Sequence, residues 1–176
     1  MLRARLLSSF ANISNSTNRA FYFDAAMSHD DVVSANVLAR ARGRGTVDVV
    51  ITCHSPEQEA GAVRYLQEHL EVEKEINVDV AVYPAVRSAV NIRVEIDVSS
   101  GVDFGQAAAA CTASIRGCLS ALKVGAPLLL SRLGRELLEV EGVRNYRILS
   151  PVGDIAPAAA HVIRPGNVQV ERMEPI

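Results

Sequence analysis

Five β-branched residues at every second position, Val90, Ile92, Val94, Ile96 and Val98, constrain this chain more than any other feature. Arg93, Glu95 and Asp97 occupy positions between them. Successive side chains of a strand point to opposite faces, so the stretch reads as extended backbone with one apolar and one charged face. It is a half-buried strand whose apolar face needs cover and whose other face meets water.

The segments that follow supply the cover. Asp103, with Gln106 three residues on, caps a helix predicted over 104–122, and its alanines let a neighbour approach closely. Val124-Gly125-Ala126 breaks it, and Pro127 opens a second helix over 128–140. Leu130, Leu133 and Leu137 share one face of that helix, and Gly142 stops it. A strand over 143–149, a loop from Ser150, a turn at Arg164-Pro165-Gly166-Asn167 and a last strand over 168–172 complete the order β-α-α-β-β.

Upstream, residues 2–10 read as a short helix, and the polar run from Asn12 leads to a helix over 18–27 capped by Ser16 or Thr17. Ser28-His29-Asp30-Asp31 ends that helix. A strand over 32–39, a turn over 40–45 with Gly43 and Gly45, and a β-branched strand over 46–52 then form a hairpin. Ser55, Pro56 and Gln58 make a capping-box start for a helix running to Leu70, with Ala62, Leu66 and Leu70 on one face. Ile76, Val78, Val80 and Val82 alternate in a strand over 76–83, so the order is α-α-β-β-α-β. Pro84 marks a boundary. The expected architecture is α+β: two small sheet-plus-helix units in tandem, 1–84 and 85–176, each with its helices on one side of its sheet.

Composition narrows the function classes. Apolar residues make up 49% of the 176 positions, enough for real cores, but aromatics make up 5% and there is no Trp. That argues against a sugar-binding cleft or a base-stacking platform. A net charge of -2 gives no bulk attraction to nucleic acid or acidic membranes. Three cysteines make no disulfide framework. The start reads as no signal peptide, and no stretch approaches the ~20 apolar residues of a membrane helix.

No catalytic, cofactor or metal constellation has a specific spacing. Cys53 and His54 are adjacent, so on a strand they point to opposite faces. Cys111 and Cys118 lie two turns apart on one helix, about 10 Å along its axis and too far for a disulfide. Core packing is the plainer reading for all three. His29, His54, His69 and His161 are scattered. Glu68, Glu71, Glu73 and Glu75 read as a solvated helix end, and His29-Asp30-Asp31 as a helix terminus. Arg40, Arg42 and Arg44 form the one basic cluster, read as a solvated hairpin turn before a phosphate or RNA contact. Leu128, Leu129, Leu130, Leu133, Leu137 and Leu138 exceed what one buried stripe needs, which makes Leu128, Leu129 and Arg132 candidates for a protein interface. Burial against the sheet and the preceding helix is the alternative. Pro84 is the candidate hinge.

The ordered motifs resemble the C-terminal portion of the Baseplate J-like family, wedge proteins of contractile phage tails. The resemblance rests on four segments: Arg3-Ala4-Arg5-Leu6-Leu7 before Phe21-Tyr22-Phe23-Asp24-Ala25; Val32 to Val37 with Gly43 to Ile51; Asn77 to Ala85 with Ser99-Ser100-Gly101-Val102-Asp103; and Leu122 to Leu133 with Val140 to Tyr146 and Pro151. Asp24 stands where the family usually has Trp, and the region that precedes this point in such proteins is missing. The resemblance implies a structural part of a phage tail or contractile injection machine, not an enzyme. Its partners would be itself and other wedge subunits, with no small-molecule substrate, cofactor or membrane. Its place would be the virion tail baseplate, or the host cytoplasm during assembly. A small α/β ligand-binding or regulatory module, and a weak nucleic-acid binder using Arg40 to Arg44, remain as alternatives.

Overall fold

The structure, a computed structural model, describes residues 18–174. The chain divides into two compact units, Met1–Ala85 and Val86–Ile176.

In the first unit α1 (Arg19–Met27) leads to strands β1 (Val32–Ala39) and β2 (Thr46–Cys53), then α2 (Pro56–Glu73) and β3 (Asp79–Pro84). The sheet order is β1-β2-β3, with β1 antiparallel and β3 parallel to β2. The parallel pair needs a crossover, and α2 provides it. Tyr22 and Ala26 of α1 and Ala62, Leu66 and Leu70 of α2 close over Val49, Ile51, Val80 and Val82. Burying each such large aliphatic side chain contributes roughly 1.5–3 kcal/mol.

Several expectations for this unit are corrected. Asn18 is the cap of α1, its Oδ1 accepting the Phe21 N–H at 2.9 Å, so the helix begins at Arg19. The helix expected over 2–10 and the caps Ser16 and Thr17 lie outside the described residues. Ile76 belongs to no strand and is 99% exposed. Pairing starts only where the Asp79 N–H reaches the Gly45 carbonyl at 2.8 Å. Gly45 has φ +78°, and a Cβ there would crowd the Asn77 carbonyl at 3.3 Å. The α2 start is as expected: the Ser55 N–H donates to the Gln58 side chain at 3.0 Å.

The second unit runs β4 (Val86–Val98), α3 (Phe104–Ser120), α4 (Leu130–Leu138), β5 (Val143–Ser150) and β6 (His161–Arg172), the expected β-α-α-β-β order. The sheet order is β5-β4-β6, β5 antiparallel and β6 parallel to β4. Ile92, Val94 and Ile96 face Cys111, Ile115 and Leu119 of α3 and Leu133 and Leu137 of α4. On the opposite face the intervening charges pair across strands, Arg93 with Glu171 at 2.9 Å, Glu95 with Arg147 at 3.1 Å and Asp97 with Arg144 at 2.8 Å. One strand thus explains both layers: helices on its apolar side, a ladder of ion pairs on its wet side.

Residues 164–167 are not a turn. They lie inside β6, where the register shifts between Val90 and Ile92. The extra residue makes a bulge, held by the Asn167 N–H donating to Asn91 Oδ1 at 2.9 Å. Pro165 is tolerated because β6 is an edge strand. A Cβ on Gly166 would collide with Asn91 Oδ1 and sit 3.1 Å from the Val90 carbonyl.

Candidate protein interface

The interface expected on the second long helix starts from how that helix is held. Its cap position is Leu129, which has no side-chain acceptor. Asp154, from the loop after β5, supplies the missing group, its Oδ1 accepting the Leu130 N–H at 2.7 Å. Gly134 lies over Tyr146 of β5; a Cβ there would stand 2.6 Å from the ring carbon Cζ. Absence of a side chain at 134 therefore allows α4 to seat on β5.

The three candidate interface residues divide. Leu128 is corrected: it is fully buried, and its backbone exchanges two hydrogen bonds with Ile155, both 2.9 Å. It is a core residue ahead of the helix and presents nothing to a partner. Leu129 is 41% exposed, and Leu138 at the far end is 51% exposed. Arg132 is half-buried and lines an open depression of about 480 Å³ with Ser131 and Arg135. Arg135 bonds Glu136 at 3.2 Å and lies 3.5 Å from Glu139. The outer side of α4 carries Arg132, Arg135 and Glu139, with the exposed Leu129 and Leu138 on its two flanks.

Pro84 is the last residue of β3, opposite Ile51. The Ala85 N–H donates to the Ile51 carbonyl at 2.8 Å, and the Val86 N–H to the Ala160 carbonyl at 3.1 Å. Pro84 therefore sits in a paired strand and not in a linker.

Other singled-out residues find local partners. Arg42 Nε donates to Asp48 Oδ1 at 2.6 Å, and its guanidinium also holds Asp79, tying the basic turn to β2 and β3. The Arg42 guanidinium keeps the Asp79 carboxyl below its usual range, while both carboxylates hold Arg42 protonated. Arg40 and Arg44 remain exposed. Cys53, Cys111 and Cys118 are buried free thiols, and burial pushes the Cys111 and Cys118 thiols up. His29 meets Tyr65 edge-on at 5.0 Å, and Tyr65 stacks on His69 at 5.9 Å. His69 lies 3.5 Å from Glu73, and Glu71 bonds Lys74 at 2.6 Å, so these two carboxylates of the acidic helix end have local partners. His161 Nδ1 is 2.8 Å from the Ser88 hydroxyl. Among the described residues no group of three or more His, Cys, Asp or Glu is placed to hold a metal.

One edge-capping side chain gave no sign of itself in the sequence. Gln67 of α2 reaches the outer edge of β3: its Nε2 donates to the Val80 carbonyl at 2.9 Å, and its Oε1 accepts the Val82 N–H at 2.8 Å. It occupies an edge as another strand would. A polar residue on an amphipathic helix gives no signal of this.

Residues 90–171 match the family model described as Baseplate J-like protein C-terminal domain. No curated protein matches the sequence. A chain in the cryo-EM structure of the anti-feeding prophage (AFP) baseplate, symmetrised six-fold, is similar in fold, with a TM-score of 0.53 and 13% identity. The likeness covers 96% of this chain and 42% of that one, so this chain spans less than half the length of the protein it resembles.

Proposed function

We propose that the chain is a structural part of the baseplate of a contractile phage tail or phage-like injection machine, acting through protein-protein contacts in the wedge ring. The match of residues 90–171 to the Baseplate J-like C-terminal domain carries this reading. Fold likeness to a baseplate chain over 96% of the sequence supports it. So does the way many of the described side chains are used: buried thiols, paired charges and the His29 and His69 rings packed on Tyr65 serve folding.

On this reading the protein catalyses no reaction. Its partners are further copies of itself and other wedge subunits, and its place is the tail baseplate after assembly in the host cytoplasm. The outer side of α4, from Leu129 past Arg132 to Leu138, is the contact surface on the second unit. Arginine is enriched at protein interfaces, and Arg132 lies here beside Leu129, an exposed leucine at the start of the helix. Pro84, one residue before the end of the first unit, is the candidate hinge.

The test is recovery of the tagged chain in its own host. Tail particles purified from that host should contain it, and tail-gene products should co-purify with it. A Leu129→Asp, Arg132→Glu variant should stay folded and enter particles at a level reduced about tenfold or more, the effect of losing an interface arginine and reversing its charge. Absence of the wild-type chain from every particle, with no tail-gene product bound, would sink the reading.

A further inference from the structure

The two edges of the first sheet are not alike. On β3, odd residues bond to β2, as the Asp79 and Ala85 N–H groups show, so Val80, Val82 and Pro84 turn their backbone outward. That edge is closed: Gln67 holds the Val80 carbonyl and the Val82 N–H, and Pro84 has no N–H to offer. On β1 the Arg40 N–H bonds the Thr46 carbonyl at 2.8 Å. Alternation then turns the backbone groups of Ala35, Val37 and Ala39 away from β2. Among the described residues no strand pairs with that side. Val32–Ala39 holds no charge and no proline, the two usual guards of an edge. A groove of about 470 Å³ runs beside it, walled by Arg19, Ala20, the exposed Phe23 and Asp24 of α1.

We infer that a second copy of this chain occupies the groove, its β1 pairing antiparallel with β1 of the first. The flanking charges select this occupant. Asp30, before the strand, and Arg40 and Arg44, after it, are exposed and make no ion pair among the described residues. A register setting Ala35 opposite Val37 of the second copy brings Asp30 of each copy to the arginine-bearing turn of the other. A parallel strand would bring like charges together. The two three-stranded sheets join into one of six strands, ended on both sides by the Gln67-closed β3. With one open edge on this sheet in each copy and a two-fold axis, pairing through β1 closes as a dimer.

The inference names the surface for the self-association in the proposed function and is tested apart from it. The full chain is followed by sedimentation equilibrium and by amide hydrogen exchange. The wild type should dimerise, with the Val37 and Ala39 amides slowing as concentration rises. Asp30→Arg alone, or Arg40→Glu with Arg44→Glu, should weaken dimerisation about tenfold or more by setting like charges opposite. All three substitutions together should restore it, which no folding defect would do. A monomer at all concentrations overturns the inference. So does a dimer indifferent to the swaps, or a monomer whose Val37 amide is protected by the chain's own residues 1–17. Tail-gene products that still co-purify with a monomeric chain would reject this dimer while leaving the baseplate reading standing.

Discussion

Replacing Gln67 by Leu removes the clamp on β3, leaving an apolar side chain one bond shorter. The wild-type amide makes two hydrogen bonds to the strand, at 2.9 and 2.8 Å. A neutral hydrogen bond contributes about 0.5–1.5 kcal/mol net, so losing two costs about 1–3 kcal/mol. Water reaching the freed edge and the added apolar contact bring the expected loss to the lower half of that range. For a unit the size of Met1–Ala85, each kcal/mol lowers Tm by about 4–8 °C. Thermal unfolding followed by circular dichroism reads the stability, and hydrogen exchange at the Val82 amide reads the clamp itself. That amide should exchange faster in Gln67→Leu. In Gln67→Glu it should stay protected, because the carboxylate still accepts from it. The Val80 carbonyl then loses its donor, and a new charge lies beside Glu71, whose Oε1 now takes the Gln67 amide at 3.1 Å. An opened β3 gives the first sheet of each copy a second free edge, so Gln67→Leu should also form species larger than those of the wild type in sedimentation velocity. Unchanged Val82 exchange together with an unchanged Tm in Gln67→Leu would refute the reasoning.

Gly134→Ala should destabilise the protein by about 1–3 kcal/mol in urea unfolding, because the new Cβ meets the Tyr146 ring; adding Tyr146→Ala should recover part of that loss, whereas independent sites would add. Asp79→Asn should flatten the acid limb of stability. The Asp79 carboxyl is held low by Arg42, so its contribution is complete above the unfolded carboxylate pKa of about 3.9 and fades as pH falls through the lower folded value. Melting temperatures measured across that range should converge for the two proteins at the acid end and differ near neutrality.

The sequence by itself determined each element whose cause is local. Alternation from Val90 to Val98 fixed β4, its buried face and its charged face. Asp103 placed the start of α3, and Ser55, Pro56 and Gln58 placed the start of α2. The α+β class and the β-α-α-β-β order of the second unit followed from these. Only the tertiary structure decided what depends on residues distant in the chain. Ile76 continues the valine alternation yet hangs in solvent, because β3 can pair only where β2 runs beside it. Pro165 and Gly166 read as a turn yet sit in a strand, since an edge position and Asn91 tolerate the bulge. Leu128 reads as helix yet bonds to Ile155, and α4 begins where Asp154, from a loop beyond β5, caps it. Closure of the β3 edge was settled in the same way, by the reach of one glutamine from α2. Hydrophobic periodicity and capping act over a few residues and are written along the chain, whereas strand pairing, edge closure and long-range caps exist only once separate segments share the same space.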